Sequence, residues 1–207
     1  MTDTLKIYND FCEINPSDSM GIIRFYESNT LVLDNKTGFK DEDEFDDFIT
    51  IIGQYILSLE TLGKYSKAIT YADKALTMID LKKDEYEIEL KDYTTYWSIL
   101  TIKGRSHYYV KDYNNSITIF KRLISWDNSN DNFMLWLNSA KSKKRNSKNK
   151  YLYILATILI LTEISFGNQF TSPKLKLYLS GAGFSLFLVA KINEYSGDKI
   201  IKLIKKK

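Results

Sequence analysis

Nucleophilic or metal chemistry would have to be built in this chain from one cysteine, Cys12, and one histidine, His107. One histidine is too few for multi-histidine metal sites, and one cysteine makes neither an internal disulfide nor a thiolate cluster. The glycines of the first 140 residues are scattered at 21, 38, 53, 63 and 104, so they form no phosphate loop, dinucleotide fingerprint or nucleophile elbow. His107 therefore reads as a packing or surface residue. No cofactor or metal is expected, and no constellation supports an enzyme. The residues that stand out are charged ones in unusual company: six cations among residues 141–150, five lysines after residue 198, and Glu163 inside an otherwise apolar run.

These residues sit in a chain of 207 residues that is 44% apolar and 27% charged, with 2 prolines and 9 glycines. That composition is globular and excludes disordered or collagen-like material. The net charge of +3 conceals an asymmetry. Residues 1–140 hold 15 Lys/Arg against 23 Asp/Glu, a net of −8, while residues 141–207 hold 14 against 3, a net of +11. An acidic body with a basic tail implies an anionic partner for the tail, either nucleic acid or lipid.

Hydropathy selects lipid. YLYILATILILTEISF (151–166) and LKLYLSGAGFSLFLVA (175–190) are apolar all round, separated by GNQFTSPK (167–174). Such helices are buried deeply or lie in lipid. Extended to Asn168, the first spans ~27 Å and the second ~24 Å, against a hydrocarbon core of ~30 Å. Lys150, Lys174, Lys176 and Lys191 stand at the run ends, where their stems can snorkel. Three settings are open to Glu163: protonated in lipid, reaching the interface, or paired with Lys174 or Lys176. Ser180, Gly181, Ala182, Gly183 and Ser185 offer small side chains for close helix approach. Lys143, Lys144, Arg145, Lys148 and Lys150, with Lys205, Lys206 and Lys207, are the expected contacts to an anionic surface. Lysine on both flanks puts both termini in the cytoplasm by the positive-inside rule. The N-terminal stretch has acids where a signal peptide needs an apolar core. The basic stretches lack the aromatic interleaving of a nucleic-acid module, so no nucleic acid is expected.

In the body, apolar residues recur at helical spacing. DEDEFDD (41–47) opens a helix whose Phe45, Phe48, Ile49, Ile52, Tyr55, Ile56 and Leu59 form one stripe, with its acids at the positive end of the dipole. Gly63 closes it, and residues 64–80 return with Tyr65, Ala68, Ile69, Ala72, Ala75 and Leu76 inward. Residues 85–110 read as one long helix or two short ones, 111–126 as their partner, and DNFMLWLNSAKSKK as a further helix. TLVLDNKTG, within 19–40, reads as a strand and turn.

Gly63 and Tyr65 at a tight turn with Ala68 and Ala75 beyond it, then Gly104, Tyr113, Ser116, Phe120 and Leu123, resemble the tetratricopeptide repeat family. Ala72 stands where that family has an aromatic residue, and Asn128 where it often has proline. LKIYNDF followed by INPSD looks like part of a further unit. Tyr65 and Tyr113 are 48 residues apart, where the family repeats at ~34, so extra residues fall between the units. The resemblance implies a groove lined by the first helix of each unit, here Thr101, Arg105, Tyr108 and Tyr109 with Leu57, Glu60 and Thr61, and a peptide partner. Within that groove Arg105, flanked by tyrosines, is the expected anchor for a peptide carboxylate, although the Lys and Asn pattern with which some members of the family bind a C-terminal carboxylate is not evident here.

The expected fold is all-α: a tetratricopeptide-like helical-hairpin solenoid followed by two apolar transmembrane helices. Its parts are a helical domain (1–140), a basic juxtamembrane linker (141–150) and a two-helix membrane hairpin with a basic tail (151–207). The expected role is a membrane-anchored adaptor that recruits a protein partner to an anionic bilayer. The rival from another class is a soluble homo-oligomer whose apolar C-terminal helices form a dimer core. A third reading makes Glu163 part of an oligomeric pore.

Overall fold

A computed structural model describes residues 3–166 and 173–204, with side chains described for 6–165 and 174–193. Every regular element among them is a helix, and the chain divides into two compact units, Met1–Leu137 and Asn138–Lys207.

The first unit is organised around α4 (Glu42–Thr61), which packs against α1 (Asp3–Cys12), α2 (Ser19–Ser28), α5 (Tyr65–Lys82) and α6 (Thr94–Tyr109). Asp41 caps α4: its backbone is extended and its carboxylate accepts the Glu44 amide at 3.0 Å. Glu42, Asp43 and Glu44 fill the first turn, where the exposed amides favour negative charge. All seven expected apolar positions of α4 are buried, together with Ile51. Ala68, Ala72 and Ala75 are fully buried on α5, which lies against both α4 and α6. Alanine at these positions lets the helix backbones approach closely.

The same device ends α4 and α6. Gly63 adopts φ 73°, and the Lys64 amide donates back to the Leu59 carbonyl at 2.8 Å. Forty-eight residues on, Lys111 adopts φ 67°, and the Asp112 amide donates to the His107 carbonyl at 2.8 Å. Both are six-to-one C-caps around a left-handed residue, and only the first has the glycine that conformation favours. Asp112 then caps α7 (Tyr113–Trp126) through the Asn115 amide. Residues 83–93 form turns and extended backbone, so the segment 85–110 contains one helix, α6.

The segment expected as a strand is instead a short helix, α3 (Thr30–Leu33). Thr30 Oγ1 donates to Tyr26 and Glu27 carbonyls, and the Asp34 amide closes the turn onto Thr30. A lone strand would have left these backbone groups without a ladder. The turn places Asp34 where it accepts Tyr26 Oη at 2.9 Å, Tyr71 Oη at 3.0 Å and Lys74 Nζ at 2.9 Å, tying α2 to α5. Tyr26 stacks on Tyr55 at 3.9 Å between ring centroids.

α8 (Asp131–Phe166) begins in the first unit, where Phe133 and Leu137 join its core, and runs without a break through residues 141–150. That stretch is therefore helix rather than a linker; from 131 to 166 there is no glycine or proline to break it. In the second unit, α8 and α9 (Pro173–Ile204) form an antiparallel pair with a tight seam. Gly183 is buried, and a Cβ there would meet Ile160 Cγ1 at 2.8 Å and the Ala156 carbonyl at 3.1 Å. Tyr153 meets Phe187 edge-on at 5.2 Å. Asn149, 1% exposed, donates to the Ala190 carbonyl at 3.3 Å and accepts from Asn193.

Candidate binding groove and membrane-facing surface

Between α4 and α6 lies a shallow cleft of about 190 Å³, lined by Thr50, Gly53, Gln54 and Leu57 on one side and Thr94, Thr95, Ser98, Ile99 and Ile102 on the other. Both walls are successive turns of single helix faces, and Gly53 faces Thr95 and Ile99, where a Cβ would meet their side chains at 3.8–3.9 Å, ordinary contact distance. The lining is hydroxyl-rich over an aliphatic floor. Such a surface can accept backbone hydrogen bonds from an extended segment and cover small apolar side chains.

Of the residues expected here, Leu57 lines the cleft and is 38% exposed. Glu60 and Arg105 meet one turn beyond it, with Arg105 Nε donating to Oε1 at 2.7 Å and Nη2 to Oε2 at 2.6 Å. Arg105 is thus not an open anchor for a peptide carboxylate, because the carboxylate of Glu60 fills its fork. Thr101 is half-buried on α6. Thr61 is exposed, and its hydroxyl donates to the Leu57 carbonyl of its own helix. Tyr108 and Tyr109 turn to other aromatics: Tyr109 stacks on Tyr65 at 4.5 Å, and Tyr108 meets Tyr113 and Trp136 edge-on. Burial pushes the Tyr108 phenol up.

The expected set marks the C-terminal end of the cleft, and the missed residues lie N-terminal to it. Stepping back by whole turns from Leu57 reaches Gln54, Gly53 and Thr50, and from Arg105 reaches Ile102 and Ser98. That spacing was the available signal. Beyond Thr50 the α4 face becomes acidic: Asp46 accepts Tyr93 Oη at 2.7 Å, and burial together with Asp43, Asp46 and Asp41 raises the Asp47 pKa.

Among the described residues, one helix is long and apolar enough to cross a membrane, Lys174–Asn193. The first apolar run does not qualify. It includes Glu163, its described side chains end at Ser165, and lengthening it backward takes in Lys150, Asn149 and Lys148. The extension to Asn168, and the connecting residues 167–172, lie outside the described residues. Only 11% of the apolar window of α9 is buried. Ile154, Ile158 and Leu161 on α8, and Leu177, Phe184 and Leu188 on α9, are all exposed. Lys143, Lys148 and Lys150 are exposed on α8, and Lys144 and Arg145 half-buried; Lys205, Lys206 and Lys207 lie outside the described residues. Among the described residues no group of histidine, cysteine and carboxylate side chains could hold a metal ion.

No family model, curated protein or solved structure matches this chain, so the repeat resemblance rests on the turn and small-residue spacing alone.

Proposed function

We propose that this protein is a membrane-anchored adaptor: a tetratricopeptide-like body offers the α4–α6 cleft to an extended peptide of a partner protein, and the α8–α9 hairpin holds that complex at a bilayer. Both termini lie in the cytoplasm, and the lysines of residues 141–150 face anionic headgroups. The work done is recruitment, which raises the local concentration of the partner without a catalytic step. The observation that carries this reading is the exposed apolar window of α9. A helix of that length and composition exposes a patch far larger than water tolerates on a monomer, so something must cover it. In this reading lipid covers it.

The test is alkaline carbonate extraction of membranes containing the full chain. Retention in the pellet with release by detergent supports the anchor. Full extraction, with a defined dimer in detergent-free buffer, would sink it in favour of the homo-oligomer whose C-terminal helices cover one another.

A further inference from the structure

The seam of the hairpin fixes a register. Asn149 pairs with Ala190 and Ala156 with Gly183, seven residues along each helix in opposite directions, with Tyr153 and Phe187 between them. One more heptad brings Glu163 level with Lys176. The apolar surface therefore ends at two polar levels. One holds Asn149, Lys150, Lys191 and Asn193; the other holds Glu163, Lys174 and Lys176.

Between these levels the surface is mostly hydrocarbon, with the Tyr151, Tyr178 and Ser185 hydroxyls as its exposed polar groups. Thr157 and Thr162 donate their hydroxyls to the Tyr153 and Ile158 carbonyls of their own helix, and Ser180 does the same to Lys176. A satisfied hydroxyl costs little in lipid. The levels are 14 residues apart on α8, 149 to 163, and on α9, 176 to 190. At 1.5 Å per residue that is ~21 Å, against ~30 Å for an ordinary hydrocarbon core. Lysine stems can reach outward from their levels, but Glu163 has a short side chain, and the Asn149 carboxamide is held in the seam.

We propose, resting on the membrane reading above, that this hairpin selects bilayers with a thin hydrocarbon core. In a bilayer of ordinary thickness the Glu163–Lys176 level would sit within the acyl chains unless the lipid thinned around it. In a thin bilayer that level meets headgroups, while Lys143, Lys148 and Lys150 lie outside the opposite face.

The experiment reconstitutes the full-length protein by detergent removal into vesicles of dilauroyl, dimyristoyl, dioleoyl or dierucoyl phosphatidylcholine, each with the same fraction of phosphatidylserine. The readout is the carbonate-resistant protein that floats with the lipid. Incorporation should peak in the two short-chain lipids and fall about fivefold in dierucoyl vesicles. Glu163→Leu, which continues the α8 run to Phe166, should move the peak to dioleoyl. Equal incorporation at all chain lengths, or a peak at the longest, overturns the thin-bilayer inference and leaves the anchor standing. An unmoved peak in Glu163→Leu overturns the limit set at that residue. Absence from every vesicle overturns the anchor itself.

Discussion

Glu60 and Arg105, 45 residues apart in sequence, join α4 to α6 through a two-pronged ion pair at 2.6 and 2.7 Å. The Glu60 side chain is only 10% exposed and that of Arg105 29%, so solvent screens the pair less than a surface one. Removing either partner leaves a charge without its hydrogen bonds. Glu60→Ala and Arg105→Ala should each destabilise the first unit by about 2 kcal/mol. The double variant should lose clearly less than the sum of the two. Arg105→Lys should not rescue, because an ammonium cannot fill both oxygens in a fork. Tryptophan fluorescence during urea unfolding of the full chain in detergent reports this directly, since Trp97, Trp126 and Trp136 all lie in the first unit.

Gly63 and Lys111, 48 residues apart, each occupy the left-handed position of a helix-ending turn, at φ 73° and 67°. A side chain there brings Cβ against the following backbone, so the lysine is strained where the glycine is not. Lys111→Gly should stabilise the first unit by about 0.5–1 kcal/mol, and Gly63→Ala should destabilise it by about 1 kcal/mol. The same urea titrations measure both. Lys111→Gly destabilising the unit, or Gly63→Ala leaving it unchanged, would show that the two turns do not share a conformation in solution.

How legible each of these features was depends on how local its cause is. The start of α4 and its stop at Gly63 were readable because a capping carboxylate, three first-turn acids and a glycine act within a few residues. The Lys111 turn carries no such mark, and only its 48-residue offset from Gly63 points to it. TLVL misleads because three apolar residues in a row suit either period, and the Thr30 and Asp34 bonds that settle the matter depend on the preceding helix. Residues 141–150 read as a linker from charge alone, although lysine is a good helix former and nothing there breaks a helix. Arg105 was identified as a cation beside the groove. That Glu60 fills its fork is a tertiary fact, set by how α6 lies along α4.

The packing of α6 on α7 places its bulk on the opposite helix from that of α4 on α5. A Cβ on Gly104 would lie 3.0 Å from both Ile119 Cγ2 and Phe120 Cε2. The positions 48 residues earlier hold Ile56 and Ala72, both fully buried, so the bulk there has moved to the opposite helix. Gly104→Ile alone should overpack this contact and cost at least about 2 kcal/mol. Phe120→Ala alone should leave a cavity and cost about 3–4 kcal/mol. The double variant reproduces the isoleucine–alanine combination of Ile56 and Ala72, and its loss should fall well short of the sum. Additive losses would mean that the two contacts are not equivalent.

The stability of the body should fall with acid over two pH windows set by named groups. Burial holds the His107 pKa below its ordinary value despite Asp112 Oδ2 at 3.1 Å from Nδ1. A histidine neutral in the native state takes its proton more readily when unfolded, so stability is full above ~6.5 and declines as pH falls below it. Burial pushes the Asp34 carboxyl up, but hydrogen bonds from Lys74, Tyr26 and Tyr71 outweigh this and hold its pKa below the usual carboxylate value. Its contribution is present above ~3.9 and is lost as pH falls through the native pKa. His107→Gln should therefore flatten the stability profile just below ~6.5 only. Asp34→Asn should lower stability at neutral pH by about 1–3 kcal/mol and flatten the profile below ~3.9. A stability profile whose slope below ~6.5 is untouched by His107→Gln would contradict the buried, neutral histidine.

In the second unit, Gly181 and Gly183 make a matched pair of probes on one helix. Nothing lies within 4 Å of a Cβ on Gly181, whereas one on Gly183 strikes Ile160 and the Ala156 carbonyl. Backbone cannot yield as a flexible side-chain tip can, so Gly183→Val must push α9 off α8 and break the Asn149 bond to Ala190 one heptad away. With Cys12 replaced by serine and spin labels at Lys150 and Lys191, Gly183→Val should widen the interspin distance by about 3 Å or broaden its distribution. Gly181→Val should leave both unchanged, although it adds the same side chain two residues away. If the two valines behave alike, the seam does not run along Gly183, and the polar levels inferred from that register lose their basis.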